Sequence, residues 1–262
     1  MPRVLPLVLI AALGVAAEAH ADRLASPREI ARGDLLGPRF APDGGELLLT
    51  GPKLRGLYLA PVAGGTVRKL TDDPGAGVHA RFTASGEIAY RAVRAGTRSD
   101  LVVDRAGQVR TAAPGPAPVA FARHDRMYVI DPAGALRRIG SGDRFFGEVI
   151  APDGDKVAFQ GLETGLYVYT RSTGALVHIG PGTAPAWSPD SSRLVFEVTE
   201  DDGHEVVASD LYIYKVASDQ VERLTWSEQV IERRPAFAPD GRALAFDDDR
   251  GAVFIAPLEV TP

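Results

Sequence analysis

Histidine is weighed first, because imidazole is the usual general base and a frequent metal ligand. Four of the five histidines, His79, His124, His178 and His204, lie outside the N-terminal apolar segment, and none are spaced as in H-x-x-x-H. Carboxylates cluster at Asp72-Asp73, Asp201-Asp202 and Asp247-Asp248-Asp249. No D-x-[DN]-x-[DN]-G loop frames them, and neighbours along an extended chain point to opposite faces. They read as solvated turns, the triplet as the polar cap of a hairpin. There is no G-x-S-x-G elbow, no H-E-x-x-H and no glycine-rich phosphate loop opening a helix. Cysteine is absent, which removes disulfides, thiolate metal sites and cysteine nucleophiles together. No catalytic residue, metal or cofactor is expected.

Composition narrows the partner class. The chain has 262 residues, 45% hydrophobic and 24% charged, enough apolar material for a core. A formal charge of −5 argues against nucleic acid, whose binders carry a basic patch or stripe. Residues 1–21 have the form of a secretory signal: Arg3, an apolar run from Val4 to Ala17, and Ala19-His20-Ala21 before Asp22. Residues 22–262 are then one exported domain with no second stretch of membrane length, expected as a periplasmic or secreted monomer. The 28 glycines and 20 prolines point to short strands between many turns.

Those turns repeat. Phe40-Ala41-Pro42-Asp43-Gly44, Ile150-Ala151-Pro152-Asp153-Gly154, Trp187-Ser188-Pro189-Asp190-Ser191 and Phe237-Ala238-Pro239-Asp240-Gly241 share one wording. Phe82-Thr83-Ala84-Ser85-Gly86 is a weaker copy, and Phe121-Ala122 has lost the turn residues. Pro presets one central turn residue, Asp bonds amides further on and Gly accepts positive φ. The copies recur at about the length of a four-stranded propeller blade, roughly 40 residues. Nine positions after each full anchor stands a large apolar residue: Leu49, Phe159, Phe196 or Phe246. A fixed offset along a strand fixes the face that carries it. The expected fold is therefore all-β, a six-bladed propeller.

Three irregularities carry expectations. The third unit is short, so one of its strands is missing or fused. The fifth is long, with an acidic loop at Glu200 to Glu205 between strands. The last unit stops after Val253-Phe254-Ile255-Ala256 without a fourth strand, and Arg28-Glu29-Ile30 is expected to supply it, closing the ring. Phe145-Phe146, ahead of the fourth inner strand, is expected to pack between blades.

The charged residues just before the inner strands are Arg39, His79, Arg81, Glu148, Glu232, Arg233 and Arg234. In a ring these gather at one mouth of the central channel. A mixed-charge rim there suits a peptide or a carboxylate ligand.

The repeated aromatic-x-Pro-Asp-Gly wording resembles the TolB-type β-propeller repeat over nearly the whole exported domain. That resemblance implies a non-catalytic cell-envelope scaffold that binds a protein or peptide partner. TolB carries an α/β domain before its propeller, whereas about eighteen residues precede the first anchor here, so a Tol–Pal role is doubtful on this sequence. Similar repeats occur in oligogalacturonate lyases, which use metal-binding histidines. The competing reading is therefore a metal-dependent polyuronate lyase with its site at the channel.

Overall fold

A computed structural model describes residues 22–94, 96–113, 119–227 and 230–260; the expected signal segment, 1–21, lies outside the described residues. Two short strands come first, β1 (Arg23–Leu24) and β2 (Arg28–Arg32). Blade 1 is β3 (Leu36–Phe40), β4 (Glu46–Thr50), β5 (Leu57–Pro61) and β6 (Arg68–Thr71). Blade 2 is β7 (Arg81–Phe82), β8 (Ile88–Arg94), β9 (Thr97–Val103) and β10 (Val109–Thr111). Blade 3 has β11 (Ala120–Arg123), β12 (Arg126–Ile130) and β13 (Leu136–Ile139). Blade 4 is β14 (Phe145–Ile150), β15 (Lys156–Gly161), β16 (Gly165–Thr170) and β17 (Leu176–Gly180). Blade 5 is β18 (Thr183–Trp187), β19 (Arg193–Asp201), β20 (Val206–Lys215) and β21 (Gln220–Arg223). Blade 6 is β22 (Arg233–Phe237), β23 (Ala243–Asp247) and β24 (Ala252–Glu259). Each blade is an antiparallel sheet in sequence order, and the six together form a six-bladed propeller.

The repeated turns do what their residues dictate. Gly44, Gly154, Ser191 and Gly241 each donate an amide hydrogen bond three residues back, at 2.8–2.9 Å. All four sit in the left-handed region, with φ between 60° and 73°. The preceding aspartates then accept the amides two residues on: Asp43 from Gly45, Asp153 from Asp155, Asp190 from Ser192 and Asp240 from Arg242. Neighbouring turns also meet around the ring, Asp153 N–H donating to Ser191 Oγ at 2.9 Å.

The ring closes as the sequence suggests. Strand β2 pairs with β24, Arg28 opposite Ile255 and Arg32 opposite Ala252. Farther along the same edge of β24, β1 pairs Leu24 with Leu258. Ile30 and Ala31 bury against Val253 and Ile255 in the seam between blades 6 and 1.

Seams are filled by the residue nine after the anchor. Leu49, Phe159, Phe196 and Phe246 are all buried, and each packs against the blade before its own. The strand that follows supplies a ring beside it: Phe159 stacks on Tyr167 at 5.4 Å, Phe196 on Tyr212 at 5.9 Å and Phe246 on Phe254 at 5.5 Å. Tyr90 takes that place in blade 2, eight after its anchor.

Five apolar clusters fill five seams, 1–2, 6–1, 5–6, 3–4 and 4–5. The seam between blades 2 and 3 has none among the described residues. Blade 3 turns Phe121 and Tyr128, stacked at 5.4 Å, to its other face, away from the cluster it shares with blade 4. Both stay half-buried. The face of blade 2 turned away from blade 1 carries the pair Arg91–Asp100 beside Ala89 and the buried Val102.

Among the described residues blade 3 has three strands, one fewer than the full blades, in keeping with the short third unit. In blade 5 the acidic segment lengthens a hairpin, with Glu200 opposite Ala208 and the turn at Asp202 to Glu205. Phe145 packs edge-on against Phe159 at 5.5 Å as expected, but Phe146 is exposed, because adjacent strand residues face opposite sides.

Deleting residues 22–34 is expected to lower the melting temperature by more than about 10 °C in circular dichroism, since an unpaired β24 leaves a buried seam open. Phe196→Ala is expected to cost about 3–5 kcal/mol in denaturant unfolding and Phe121→Ala only about 1 kcal/mol, because Phe196 is fully buried and Phe121 only half-buried.

Candidate functional site

Four of the six inner strands carry an irregularity just ahead of the anchor. Register shifts fall between Leu36 and Arg39, Phe146 and Val149, Thr183 and Ala186, and Arg233 and Ala236. The residue three before the anchor is left-handed in all four: Gly37 at φ 65°, Gly147 at 67°, Ala184 at 51° and Arg234 at 50°. For a residue with a Cβ this costs about 1–2 kcal/mol.

Two of these kinks are latched to the preceding blade by a buried carboxylate. The Arg234 amide donates to Glu197 Oε2, and Arg233 Nε donates to Glu197 Oε1 at 2.9 Å. The Gly37 amide donates to Asp247 Oδ1 at 3.1 Å, while the Arg234 guanidinium grips both Asp247 oxygens. Burial pushes the Asp247 carboxyl up to about 6 despite that cation. Asp247 is therefore no part of a solvated turn. As the last residue of β23 it faces the inner strands, while Asp248 caps the hairpin by accepting the Ala252 amide at 2.7 Å. Asp73 departs from the solvated reading too. It accepts from Arg94, Tyr90 and Thr71, and the hydrogen bond from Arg94 leads in drawing its carboxyl down to about 2. Asp201 and Asp202 do cap an exposed turn.

The seven charged residues expected at the channel mouth separate into two groups. Glu232, Arg233 and Arg234 belong to the blade 5–6 network. Arg233 and Arg234 are committed to Glu197 and Asp247, and Glu232 is buried with Oε2 lacking a hydrogen bond. Burial raises the Glu232 carboxyl to about 7.

Arg39, His79, Arg81 and Glu148 make the second group. Surrounding protein, then the charges of Arg91, Arg39 and Arg81, hold the His79 imidazole below its ordinary value, with Glu148 acting the other way. Arg39 is half-buried and its guanidinium is pushed down by desolvation. No side chain of Arg39, Arg81 or Glu148 makes a hydrogen bond or ion pair with a described residue. His79, Arg81 and Glu148 open into a cavity of about 970 Å³ over the face of blade 2 turned away from blade 1. Its walls include the pairs Arg91–Asp100 at 2.8 Å and Arg110–Glu87 at 2.8 Å. Sequence reasoning found the inner-strand members of this site but missed Arg91, Asp100 and Arg110, which lie on later strands of the same blade. Only Asp100 stands where other units place an apolar residue, Leu57, Leu166, Leu211 or Val253; Arg91 answers to Thr50, Gln160, Glu197 and Asp247.

The other histidines do not join this site. His178 stacks on Tyr167 at 4.7 Å and contacts the Thr164 carbonyl at 2.7 Å. His124 and His204 occupy exposed turns. Among the described residues no three His, Asp or Glu side chains converge as a metal-binding group. No described helix is long and apolar enough to cross a membrane.

Solved structures share this architecture at low identity. A protein assigned as TolB from Agrobacterium tumefaciens matches at TM-score 0.57 and 17% identity, over 87% of this chain and 91% of its own. A gluconolactonase from Xanthomonas campestris matches at 0.58 and 13%, over 92% and 96%. An oligogalacturonate lyase from Vibrio parahaemolyticus matches at 0.52 and 14%, over 90% and 97%. The chain spans only 54% of a TolB from Acinetobacter baumannii. No protein-family model matches the chain. The class these similarities define is the β-propeller, a fold that serves binding proteins and enzymes alike.

Glu232 yields a pH prediction. Its folded value lies above its unfolded one, so its contribution to stability is complete below about pH 4.5 and lost as pH rises through about 7. Glu232→Gln is expected to raise the melting temperature at pH 8 by about 2–4 °C relative to its effect at pH 4, read by differential scanning calorimetry.

Proposed function

We propose that this chain is a non-catalytic, exported propeller that binds a protein or peptide partner in the cell envelope. The supporting observation is the open cavity on blade 2, to which blade 4 contributes Glu148. It presents the guanidinium of Arg81 and the carboxylate of Glu148 without internal ion pairs, and the charge of Arg39 reaches the His79 imidazole. Opposite charges left unpaired on one wall suit a partner that carries both signs, as a peptide segment does. A neutral His79 adds a donor and an acceptor at pH 7 without adding charge. The paired Arg91 and Asp100 shape the wall while cancelling each other.

The lyase reading requires a converging donor set, and His79 has no second histidine beside it. Arg81→Glu and Glu148→Lys are each expected to abolish capture of the partner from envelope extract, while Arg98→Glu, on blade 2 but outside the cavity lining, leaves it intact. Loss of capture should come with an unchanged unfolding curve. Turnover of polygalacturonate dependent on added manganese, with no captured partner, would favour the enzyme instead.

A further inference from the structure

Blade 3 is the one described sheet without an outer fourth strand, and it ends on β13, which pairs with β12 alone. The Asp131 amide donates to the Ala135 carbonyl at 2.9 Å, making that pair a hydrogen-bonded one. Alternation along the ladder then turns the amide and carbonyl of Leu136 and Arg138 outward, away from β12. Beside this open edge, where the outer strand would run in the other blades, lies a cavity of about 870 Å³ bounded by β13 and by blade 4. Leu176, across the gap on β17, is 42% exposed, and Leu136, on the opposite face of β13, is 59% exposed. The open edge thus offers one apolar contact on each face and a row of outward backbone groups.

Its charge is one-sided. Arg137, Arg138 and Arg171 line it against the single carboxylate of Asp131. Asp131 is taken up by Arg137 at 2.6 Å, and Arg138 has no ion pair with a described residue. A second copy docking edge to edge would set Arg137 and Arg138 against their own kind, the arrangement by which edge strands repel one another. An acidic strand meets no such penalty.

We propose that the edge of β13 accepts an extended segment of a partner protein as the fourth strand of blade 3. The segment carries acidic residues opposite Arg137 and Arg138 and one apolar residue on each face, one over Leu136 and one over Leu176. Backbone pairing supplies the attraction and the arginines supply selectivity, as in other cases of strand addition. This surface is separate from the cavity of blade 2 and does not depend on the function proposed for it.

The test uses the exported chain, isotope-labelled for amide NMR, and the capped hexapeptide Thr-Val-Glu-Glu-Val-Thr. The expected result is saturable shifts centred on the Leu136 and Arg138 amides at peptide concentrations up to about 1 mM. Two further peptides are N-methylated on one or the other set of alternate amides. Only one set faces β13, so one peptide should lose about tenfold or more in affinity while the other binds nearly as before. The Lys-Lys counterpart should not bind, and Arg138→Glu should reverse the preference between the two. No saturable shift with the acidic peptide would overturn the proposal. Equal loss with both methylated peptides, equal retention by both, or shifts centred on the blade 2 cavity would do so as well. Sedimentation as a dimer dispersed by the acidic peptide would give the edge to a second copy and overturn it too.

Discussion

A blade has two faces, and in a ring each must be buried by a neighbour or left to water. This constraint organises the molecule. Leu49, Phe159, Phe196 and Phe246 recur at one offset because each fills the gap to the preceding blade. The same need explains why β2 crosses to β24: without that strand, the seam between the last and first blades would lose its outer rows. Among the described residues the seam between blades 2 and 3 has no such cluster, and the open cavity lies on that face of blade 2.

Polar groups obey a parallel constraint nearer the channel. Kinking the inner strand frees amides that would otherwise join a ladder, and a buried amide needs an acceptor. Glu197 and Asp247 provide it from the preceding blade, each joined also to an arginine. The latch therefore couples blade 5 to blade 6 and blade 6 to blade 1 through side chains that face inward. Arginine at position 234 accepts a left-handed backbone in a place that Gly37 and Gly147 occupy without strain. Its guanidinium on Asp247 offsets part of that cost.

Much of the fold was legible in the sequence because the signal was redundant. Four turns with one wording, each tied to a large residue at one distance, leave few folds open, and a last unit lacking a strand calls for one from elsewhere. The candidate site was legible only in part. Arg39, His79, Arg81 and Glu148 could be placed by their distance from the anchors. Whether a charge faces solvent or a buried partner depends on the neighbouring blade, which spacing within one unit does not encode. Asp247 illustrates the gap: local sequence places it in an acidic triplet, while its partners Gly37 and Arg234 come from the start of the ring and from the strand beside it. Arg91, Asp100 and Arg110 were missed for the complementary reason, since a charged strand face reads as solvent-exposed whether it borders water or an unfilled seam.

The closing strand also has a consequence in time. Gly37 and Asp247 are 210 positions apart, and the β2–β24 pairing spans a comparable stretch. A contact of such separation orders nearly the entire chain before it returns any stabilisation, and topologies of this type fold slowly. As the polypeptide emerges, Ile30 and Ala31 must wait for a partner that is synthesised last, so the start of the domain is its last part to become native. A nascent ring of this design therefore passes through an incomplete arc with two adhesive ends. In a crowded compartment, that interval rather than the finished structure is where association with a wrong neighbour is most readily begun.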